Sequence, residues 1–444
     1  MRVITFCFLV SIYTAGVLAD SGEVLSVPPE TVGLSSQRLT YIDKLIDSHI
    51  NEKKIAGSVV LVARHGKIAY FKASGMADNG KPMEKDSIMR VMSMSKPITS
   101  VATMLLYEQG KILLSDPVSK YIPEFKNQKV LVPLPKGSPY PYKLVPVKRE
   151  VTIRDLLAHT SGIMYMSYAG IYPNQPGRQD MLNLYKEAQI NDGYCRTDEE
   201  IGDMVRRLGR LPLTAQPGEL WEYGLNSDVL GYLIEVVSGM KFDKFVTENV
   251  FKPLKMNDSY FNVPQEKVGR IAAVYKSDWK GSLERVGEKE LLFSNELAMC
   301  PYDAYQTDGT YFSGGGGVTT TAYDYFRFSQ MLLNGGELDG VRLLSRKTVQ
   351  LMTATNHIGK YSADYLHDKG WKFGLGFAIQ QDREHDVDAG DVGVFEWAGL
   401  YSTRFSIDPK EDKITIFLSQ TTPFGHHFDL WDKLQVLSAS AIAD

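Results

Sequence analysis

The sequence predicts an α/β (α+β) fold in which one antiparallel sheet, flanked by helices, takes strands from both ends of the chain. Three observations indicate this fold class. The segment GSVVLVARHGKIAYFKASG, residues 57–75, places apolar runs on either side of a His65-Gly66 turn, as in a β-hairpin. The C-terminal runs WKFGLGFAIQ, GVFEWAG, STRFSID and KITIFLSQ are short, strand-like and separated by charged or glycine turns. Between these regions apolar residues recur at helical spacing, so we expect a mostly helical lobe inserted into the sheet lobe.

The middle of the chain carries start and stop signals of helices. The segment ITSVATMLLYEQG has helical spacing and stops at Gly110, a residue suited to the position after a helix C-terminus. A second periodic segment covers residues 227–238 and ends at Gly239, while Thr321 and Ser345 are placed to cap two later helices. The proline-rich segment that begins NQKVLVPLPKGSPYPY is expected to be an extended surface loop.

The N-terminus has the pattern of a secretory signal peptide. Arg2 precedes an apolar run, and Val17-Leu18-Ala19 supplies the small residues of a cleavage site. We therefore expect residues 1–19 to be removed and the protein to be secreted, extracellular or periplasmic, with an uncleaved anchor as the alternative. No later segment is long and apolar enough to predict another transmembrane helix.

The rest of the chain, residues 20–444, is predicted to form one domain with two lobes. The sheet lobe is expected at about 20–80 and 340–444, and the helical lobe at about 81–339. For the cysteines that remain after cleavage, Cys195 and Cys300, a disulfide and two isolated buried thiols both stay open, because sequence does not show proximity.

Composition and charge argue against several functional classes. Of the 444 residues, 43% are hydrophobic and 23% charged, as in folded globular proteins. The net charge of −4 and the pI near 6.1 give no support for nucleic-acid binding or for electrostatic adhesion to anionic membranes.

A serine and a lysine at helical spacing, Ser93 and Lys96, precede the strongest apolar helix in the first half of the chain. Backbone N–H groups converge at a helix N-terminus, and their field together with burial favours the neutral amine that a general base requires. The motif alone leaves a capping serine open as the alternative. In either case we expect the helix to begin at Ser93, which makes Pro97 its fourth residue.

Other segments complete a recognisable series. The segment LWEYGLNSDVLG places Tyr223 just before a helix, and FEWAGLY places Trp397-Ala398-Gly399 on or beside a strand. The order S-x-x-K, H-T-S-G, W-x-Y, S-G-G-G and W-x-G resembles the serine β-lactamase-like family, which includes class C β-lactamases, D-alanyl-D-alanine peptidases, carboxylesterases and acyltransferases. The resemblance covers about residues 35–420 and implies a β-lactamase/transpeptidase-like fold and serine hydrolase chemistry.

The resemblance also implies a role for each matching residue. Ser93 corresponds to the nucleophile, Lys96 to the group that helps deprotonate it, and Tyr223 to a base that acts with Lys96 and later activates water or another acceptor. The oxyanion hole is expected at the N–H groups of Ser93 and Leu400, with Gly399 allowing a close approach of the strand to the acyl carbonyl. No metal or organic cofactor is required, and the expected partner is a small acyl or ester substrate.

Two departures from the penicillin-recognising pattern favour an ester. The asparagine of Y-x-N is replaced by Leu225, with Asn226 one residue late, so we do not expect that amide to take the usual role. The lysine of K-T-G is replaced by Trp397, which cannot pair with a substrate carboxylate. Arg404 would restore a positive charge only if its side chain faced the site. A D-amino-acid peptidase or β-lactamase, an acyltransferase and an inactive secreted binding protein remain the alternatives.

Two tyrosine-rich segments, SGIMYMSYAGIY and CPYDAYQTDGTYF, are expected near the cleft in this family. Their tyrosines are candidate pocket walls, with ordinary core or surface tyrosines as the alternative. The candidates are Tyr165, Tyr168, Tyr302, Tyr305 and Tyr311.

Overall fold

The fold consists of a large antiparallel sheet, several short strand pairs and α-helices distributed along the chain. The computed structural model describes residues 26–166, 176–193, 198–287, 308–360, 370–382, 390–423 and 428–444. Its α-helices are α1 (Ser36–Asn51), α2 (Ser95–Glu108), α3 (Ile153–Leu157), α4 (Arg178–Glu187), α5 (Ile201–Gly209), α6 (Asn226–Ser238), α7 (Phe242–Val246), α8 (Ala322–Leu333), α9 (Arg346–Thr353) and α10 (Phe428–Ser440).

Strands occur near both ends of the chain and in short pairs between them. They are β1 (Gly57–Arg64), β2 (Lys67–Asp78), β3 (Lys81–Pro82), β4 (Met89–Arg90), β5 (Lys129–Pro133), β6 (Tyr142–Pro146), β7 (Tyr275–Ser277), β8 (Leu283–Arg285), β9 (Thr319–Thr320), β10 (Glu337–Leu338), β11 (Val341–Arg342), β12 (Trp371–Phe373), β13 (Ala378–Gln380), β14 (Phe395–Gly399), β15 (Thr403–Asp408), β16 (Lys413–Ser419) and β17 (Thr421–Thr422). The predicted signal peptide, residues 1–19, and both Cys195 and Cys300 lie outside the described residues.

The main sheet joins the two ends of the chain. Its strand order is β12-β13-β14-β15-β16-β1-β2-β3, so that β1 pairs with β2 on one side and with β16 on the other. The β1–β16 pairing is antiparallel and sets Val60 opposite Phe417. The antiparallel sheet predicted from both chain ends is therefore confirmed.

Strand β1 is buried along its whole length because helices cover both faces of the sheet. Val60 and Val62 pack in a cluster with apolar residues of α1 and α10. Val59 and Leu61 face the opposite way and belong to the main core, which includes residues of α2, α6 and α8. Side chains alternate between the faces of a strand, so a strand covered on both faces is apolar throughout. This explains the uninterrupted apolar run in GSVVLVAR.

Turn and cap residues agree with the sequence predictions. His65 and Gly66 join β1 to β2 with φ of 53° and 70°, the left-handed values that suit the twist of a two-residue hairpin. Gly110 and Gly239 follow the ends of α2 and α6, as predicted.

Two later helices have the side-chain caps that the sequence predicts. The Thr321 hydroxyl accepts a hydrogen bond from the Asp324 N–H at the start of α8, and the Ser345 hydroxyl accepts one from the Thr348 N–H at the start of α9. Such caps satisfy N–H groups that a helix leaves without intrahelical partners. In the part of the chain that is described, no helix is both long and apolar enough to cross a membrane.

The proline-rich segment is a β-hairpin, and the expectation of an extended loop was wrong. Strands β5 and β6 pair antiparallel, from Lys129 opposite Pro146 to Pro133 opposite Tyr142. The two prolines stand at the strand ends, where the missing N–H removes little from the ladder. Val130 also bridges to Leu213, which joins the hairpin to the connection between α5 and α6.

An ion pair is buried on the α10 side of the sheet. Arg404 on β15 donates from Nε to Glu396 on β14 at 3.1 Å, and the two side chains are 4% and 2% exposed. The guanidinium carbon lies 4.9 Å from the centre of the Trp431 ring on α10. Arg404 therefore faces α10.

Removal of one partner of this pair is expected to destabilise the protein strongly. Arg404→Ala leaves the Glu396 carboxylate buried without its main partner, so the free energy of unfolding should fall by about 3–5 kcal/mol. The measurement is urea denaturation followed by circular dichroism. Lys433→Ala, which removes an exposed ion pair with Asp429, serves as the control and should cost about 0–1 kcal/mol. Equal losses in both variants would contradict the prediction.

Candidate active site

Ser93 lies on a 3₁₀ turn, Met92–Met94, between strand β4 and helix α2. Met92 has a φ of 49°, a left-handed value that is unfavourable for a residue with a long side chain. The α-helix begins at Ser95, so the expectation that it begins at Ser93 was wrong. Pro97 is accordingly its third residue, where the missing N–H costs no intrahelical bond. The N-cap residue of α2 is Met94, so Ser93 is not the capping residue of this helix.

Lys96 lies one turn along and brings its amine to Ser93. The side chain is buried, and Nζ is 2.9 Å from Ser93 Oγ and 2.7 Å from the carbonyl oxygen of Gly315. Burial lowers the pKa of Lys96 to about 7, although the carboxylates of Asp228 and Asp192 act in the opposite direction. A substantial fraction of Lys96 is therefore a neutral amine near pH 7.

Tyr223 stands on the other side of the same amine. Its ring centre is 4.6 Å from Lys96 Nζ, and Trp397 Nε1 donates to its hydroxyl oxygen at 3.4 Å. The rings of His159 and Trp221 lie 4.8 and 5.9 Å away between centres. This aromatic packing holds Tyr223 between the serine–lysine pair and the sheet.

A buried ion pair fixes the segment that carries Tyr223. Arg178 donates from both terminal nitrogens to the carboxylate of Glu222, each at 2.7 Å. The N–H of Glu222 donates to the carbonyl oxygen of His159 at 2.7 Å, which ties the segment to the H-T-S-G loop. Bidentate pairs of this kind restrict orientation as well as position.

The Asn226 amide points away from the reacting groups. Its oxygen accepts from the hydroxyl of Ser161 at 2.5 Å, and its nitrogen lies 2.9 Å from Nδ1 of His159. Leu225 is the residue that precedes α6 and is fully buried. The one-residue shift seen in the sequence therefore puts the amide in a structural network.

The end of strand β14 packs against the turn that carries Ser93. A Cβ atom on Gly399 would overlap the carbonyl oxygen of Val91, so only glycine allows this approach. The Thr403 hydroxyl donates to that same oxygen at 3.2 Å. The backbone at Leu400, the predicted second oxyanion donor, leaves the strand at this point. Ala398 is paired with Arg404 across the strands, and Arg404 faces α10 and adds no charge to the site.

Three residues beside Lys96 were not assigned from the sequence. Asp228 is buried in the first turn of α6, and the Ser313 hydroxyl donates to it at 2.8 Å. Gly315, in the same loop as Ser313, supplies the carbonyl that binds Lys96. The SGGGG run did point to this loop, but nothing in the sequence indicated that a buried carboxylate stands next to it.

The predicted pocket walls divide into two groups. Tyr165 has its ring centre 5.2 Å from Lys96 Nζ, and the Tyr311 hydroxyl donates to Asp228 at 3.2 Å. Burial, with the Asp228 carboxylate close by, holds the pKa of Tyr311 well above its usual value. Tyr168, Tyr302 and Tyr305 lie outside the described residues. No group of three or more His, Cys, Asp or Glu residues is placed to hold a metal ion among the described residues.

The chain belongs to the β-lactamase family, because the Beta-lactamase family model matches residues 42–439. Esterase EstB of Burkholderia gladioli is 28% identical to it, over 90% of this chain and 95% of EstB. ML-236A carboxylate methylbutanoyltransferase mlcH of Penicillium citrinum is 26% identical, over 90% of this chain and 94% of its own.

A solved structure gives the same result for the fold. EstCE1, described as a hydrolase with promiscuous acyltransferase activity, has a TM-score of 0.74 and 27% identity, and the match covers 92% of this chain and 99% of that one. Fold and relatives together identify a serine hydrolase-type enzyme with esterase and acyltransferase relatives and a small-molecule substrate.

The space at Gly315 provides a test of this geometry. A Cβ atom at this position would stand 2.7 Å from Asp228 Oδ2 and would overlap the hydroxyl of Tyr165. Gly315→Ala should therefore displace the groups around Lys96 and lower kcat for a nitrophenyl ester by about 100-fold. Gly269→Ala, where the added methyl meets open space, is the control and should keep wild-type kcat. Wild-type kcat in folded Gly315→Ala would contradict the geometry.

Proposed function

We propose that this protein is a secreted serine esterase that forms an acyl-enzyme on Ser93. The observation that carries the proposal is the 2.9 Å contact between the buried amine of Lys96 and the hydroxyl of Ser93. A base must be unprotonated and within hydrogen-bond reach of the proton that it takes. The contact supports the second condition, and burial lowers the pKa of Lys96 to about 7, which favours the first. Secretion is proposed from the signal-peptide pattern of residues 1–19.

In the acylation step Lys96 takes the hydroxyl proton of Ser93 as Oγ attacks the ester carbonyl carbon. The O–H bond breaks and an N–H bond forms at Nζ, while the new C–O bond moves the carbonyl electron pair to the oxygen. The N–H groups of Ser93 and Leu400 are proposed to bind that oxyanion. The contact of Gly399 with Val91 supports this assignment, because it brings the two backbone segments together.

Tyr223 is proposed to carry the proton from Lys96 to the leaving alcohol. The phenol passes its own proton to the alkoxide and receives one from the Lys96 ammonium, so the pair ends neutral and the acyl group remains on Ser93. The indole N–H of Trp397 donates to the phenol oxygen and would stabilise negative charge there. Water then releases the acyl group by the reverse sequence of proton transfers.

A neutral ester is the substrate class that these residues favour. Trp397 stands in the position that a substrate-binding lysine has in penicillin-recognising enzymes, and its N–H is engaged with Tyr223. Arg404 is paired with Glu396 and faces α10. Neither residue offers a cation to a substrate carboxylate, and an unpaired buried carboxylate costs several kcal/mol. β-Lactams and acyl-D-alanine peptides are therefore disfavoured.

Acyl transfer is a second candidate for the deacylation step. Its support is the acyltransferase mlcH and the acyltransferase activity named for EstCE1. In that reaction an acceptor alcohol or amine takes the place of water at the acyl-enzyme, and the residues already described suffice. Added alcohol that diverts most of the product from acid to ester would favour this candidate.

Labelling with a serine-directed fluorophosphonate tests the nucleophile. Wild-type protein should be labelled and Ser93→Ala should not, because the reagent bonds to the activated hydroxyl. Ser95→Ala is the matched control: its hydroxyl accepts from the Val318 N–H, and labelling should persist. Labelling of Ser93→Ala would contradict the assignment.

Turnover of nitrocefin at the rate of a short-chain nitrophenyl ester would contradict the substrate class.

The pH dependence of labelling tests the base. Burial sets the pKa of Lys96 at about 7, and only the unprotonated amine accepts the Ser93 proton. The labelling rate should therefore fall as pH decreases below about 7, approaching tenfold per pH unit. Lys96→Ala should fold, react orders of magnitude more slowly and lose this dependence. A wild-type rate that stays constant into the acidic range would contradict Lys96 as the base.

A further inference from the structure

A buried carboxylate next to Lys96 takes no part in the proton transfers proposed so far. Asp228 is fully buried, and its Oδ1 accepts hydrogen bonds from the hydroxyls of Ser313 at 2.8 Å and Tyr311 at 3.2 Å. Its Oδ2 is buried as well and has no hydrogen-bond partner among the described residues. A carboxylate oxygen that is buried without a hydrogen-bond partner costs free energy unless a positive charge lies close to it.

The space beside Gly315 connects this oxygen with the amine of Lys96. A Cβ at residue 315 would stand 2.7 Å from Asp228 Oδ2 and 3.5 Å from Lys96 Nζ. The carbonyl of Gly315 also accepts the hydrogen bond from Nζ at 2.7 Å. Because residue 315 is glycine, it places no side chain of its own in this space, which the hydroxyl of Tyr165 also borders.

We propose that Asp228 is the counter-charge of Lys96: its carboxylate stabilises the ammonium that Lys96 becomes when it takes the proton of Ser93. This inference rests on the proposed function, in which Lys96 is the base. In this attack step the proton of Ser93 moves to Lys96, and Asp228 keeps its negative charge in this step and in the later proton transfers through Tyr223. Opposite charges attract more strongly in a buried site than in water, so forming the ammonium becomes easier. Asp228 acts through Lys96 and is a positioning residue.

Several other titratable groups surround the amine. Asp192 also raises the pKa of Lys96, but less than Asp228 does, and its carboxylate accepts from the Met166 N–H at 2.9 Å. His159 is held neutral, because burial and the Lys96 charge keep its pKa well below its usual value. Among the described residues, the hydroxyl of Ser93 and the phenols of Tyr165 and Tyr223 also lie beside the amine, and the phenol of Tyr311 contacts Asp228.

The ionisation of Asp228 agrees with this role near neutral pH. Burial raises its pKa to about 6, against the hydrogen bond from Ser313, the charge of Lys96 and the hydrogen bond from Tyr311. Above that pH the carboxylate is mostly ionised, so a negative charge is available when Lys96 becomes positive. A purely structural role, joining α6 to the Ser313 loop, is the competing explanation.

The test is the pH profile of Asp228→Asn, which removes the charge but keeps the shape and an oxygen acceptor. The midpoint of the acidic limb of kcat/KM for a nitrophenyl ester should move to lower pH by about one unit, since the charge that raises the Lys96 pKa is lost. At the alkaline plateau kcat should fall about tenfold, with KM unchanged, because the stabilisation appears only as the ammonium forms. A midpoint that is unchanged or moves to higher pH overturns the proposal.

Asp324→Asn is the matched control. Asp324 is also a buried aspartate in the first turn of a helix, burial raises its pKa to about 6, and the Ser259 hydroxyl donates to it at 2.8 Å. This variant should lose thermal stability and keep the wild-type midpoint. A midpoint shift as large as that of Asp228→Asn would mean that general destabilisation causes the effect, and it would overturn the proposal.

Two further variants keep the proposal falsifiable. If Asp228→Asn does not fold, Tyr311→Phe removes one donor to the carboxylate and makes it harder to ionise, so the midpoint should move in the same direction by a smaller amount. No shift in Tyr311→Phe would then overturn the proposal.

Lys96→Ala separates the hypothesis that Lys96 is the base from the hypothesis that Asp228 is its counter-charge. If this variant keeps the wild-type pH profile, the proposed function fails. If activity depends on Lys96 but the Asp228→Asn midpoint does not move, only the role of Asp228 fails.

Discussion

The burial of the Lys96 amine is the constraint on which the rest of the site depends. A solvated lysine is almost fully protonated at neutral pH, and only removal from water brings its pKa to about 7. Because the amine is buried, neighbouring groups must provide its hydrogen-bonding and electrostatic partners both when it is neutral and when it is protonated. The Gly315 carbonyl accepts one hydrogen bond, and the rings of Tyr223 and Tyr165 present their electron-rich faces at 4.6 and 5.2 Å.

The enclosure of this amine is assembled from segments that are far apart in sequence. The two-residue strands β4 and β9 pair with each other, so that Arg90 stands opposite Thr319. Strand β4 leads directly into the turn of Ser93, and β9 follows directly after the glycine-rich loop that contains Gly315. This short ladder therefore sets how closely the loop carbonyl approaches the amine. The main sheet contributes Trp397 and Gly399 from the opposite side.

Much of this arrangement could be predicted from the sequence, because the signals are local. The hairpin turn at His65-Gly66 and the cap at Thr321 need only a few neighbouring residues, and the spacing of Ser93 and Lys96 brings them together on any helical turn. The predicted start of α2, Ser93, was two residues too early. The left-handed backbone at Met92, just before the turn of Ser93, depends on tertiary packing that local sequence does not show.

The parts that sequence could not supply depend on tertiary contacts. An aspartate in the first turn of a helix is ordinarily a solvent-exposed residue that interacts with the helix dipole, so Asp228 gave no sign of its burial. The direction of Arg404 depends on strand register, which the turn between Gly399 and Thr403 fixes. The β5–β6 hairpin was not predicted because a segment rich in proline is typical of a loop. Its composition does not show that two of the prolines stand at strand ends, where they leave the ladder intact.

The pairing of β1 with β16 has a consequence for the synthesis of the chain. Ser419 on β16 donates to the carbonyl of Gly57 on β1, a residue 362 positions earlier. At ordinary rates of translation the ribosome takes on the order of tens of seconds to supply the partner strand. During that time the β1–β2 hairpin has one apolar edge without a neighbour, and such edges are templates for aggregation. A chain that ended just before β16 would leave that edge of β1 permanently exposed.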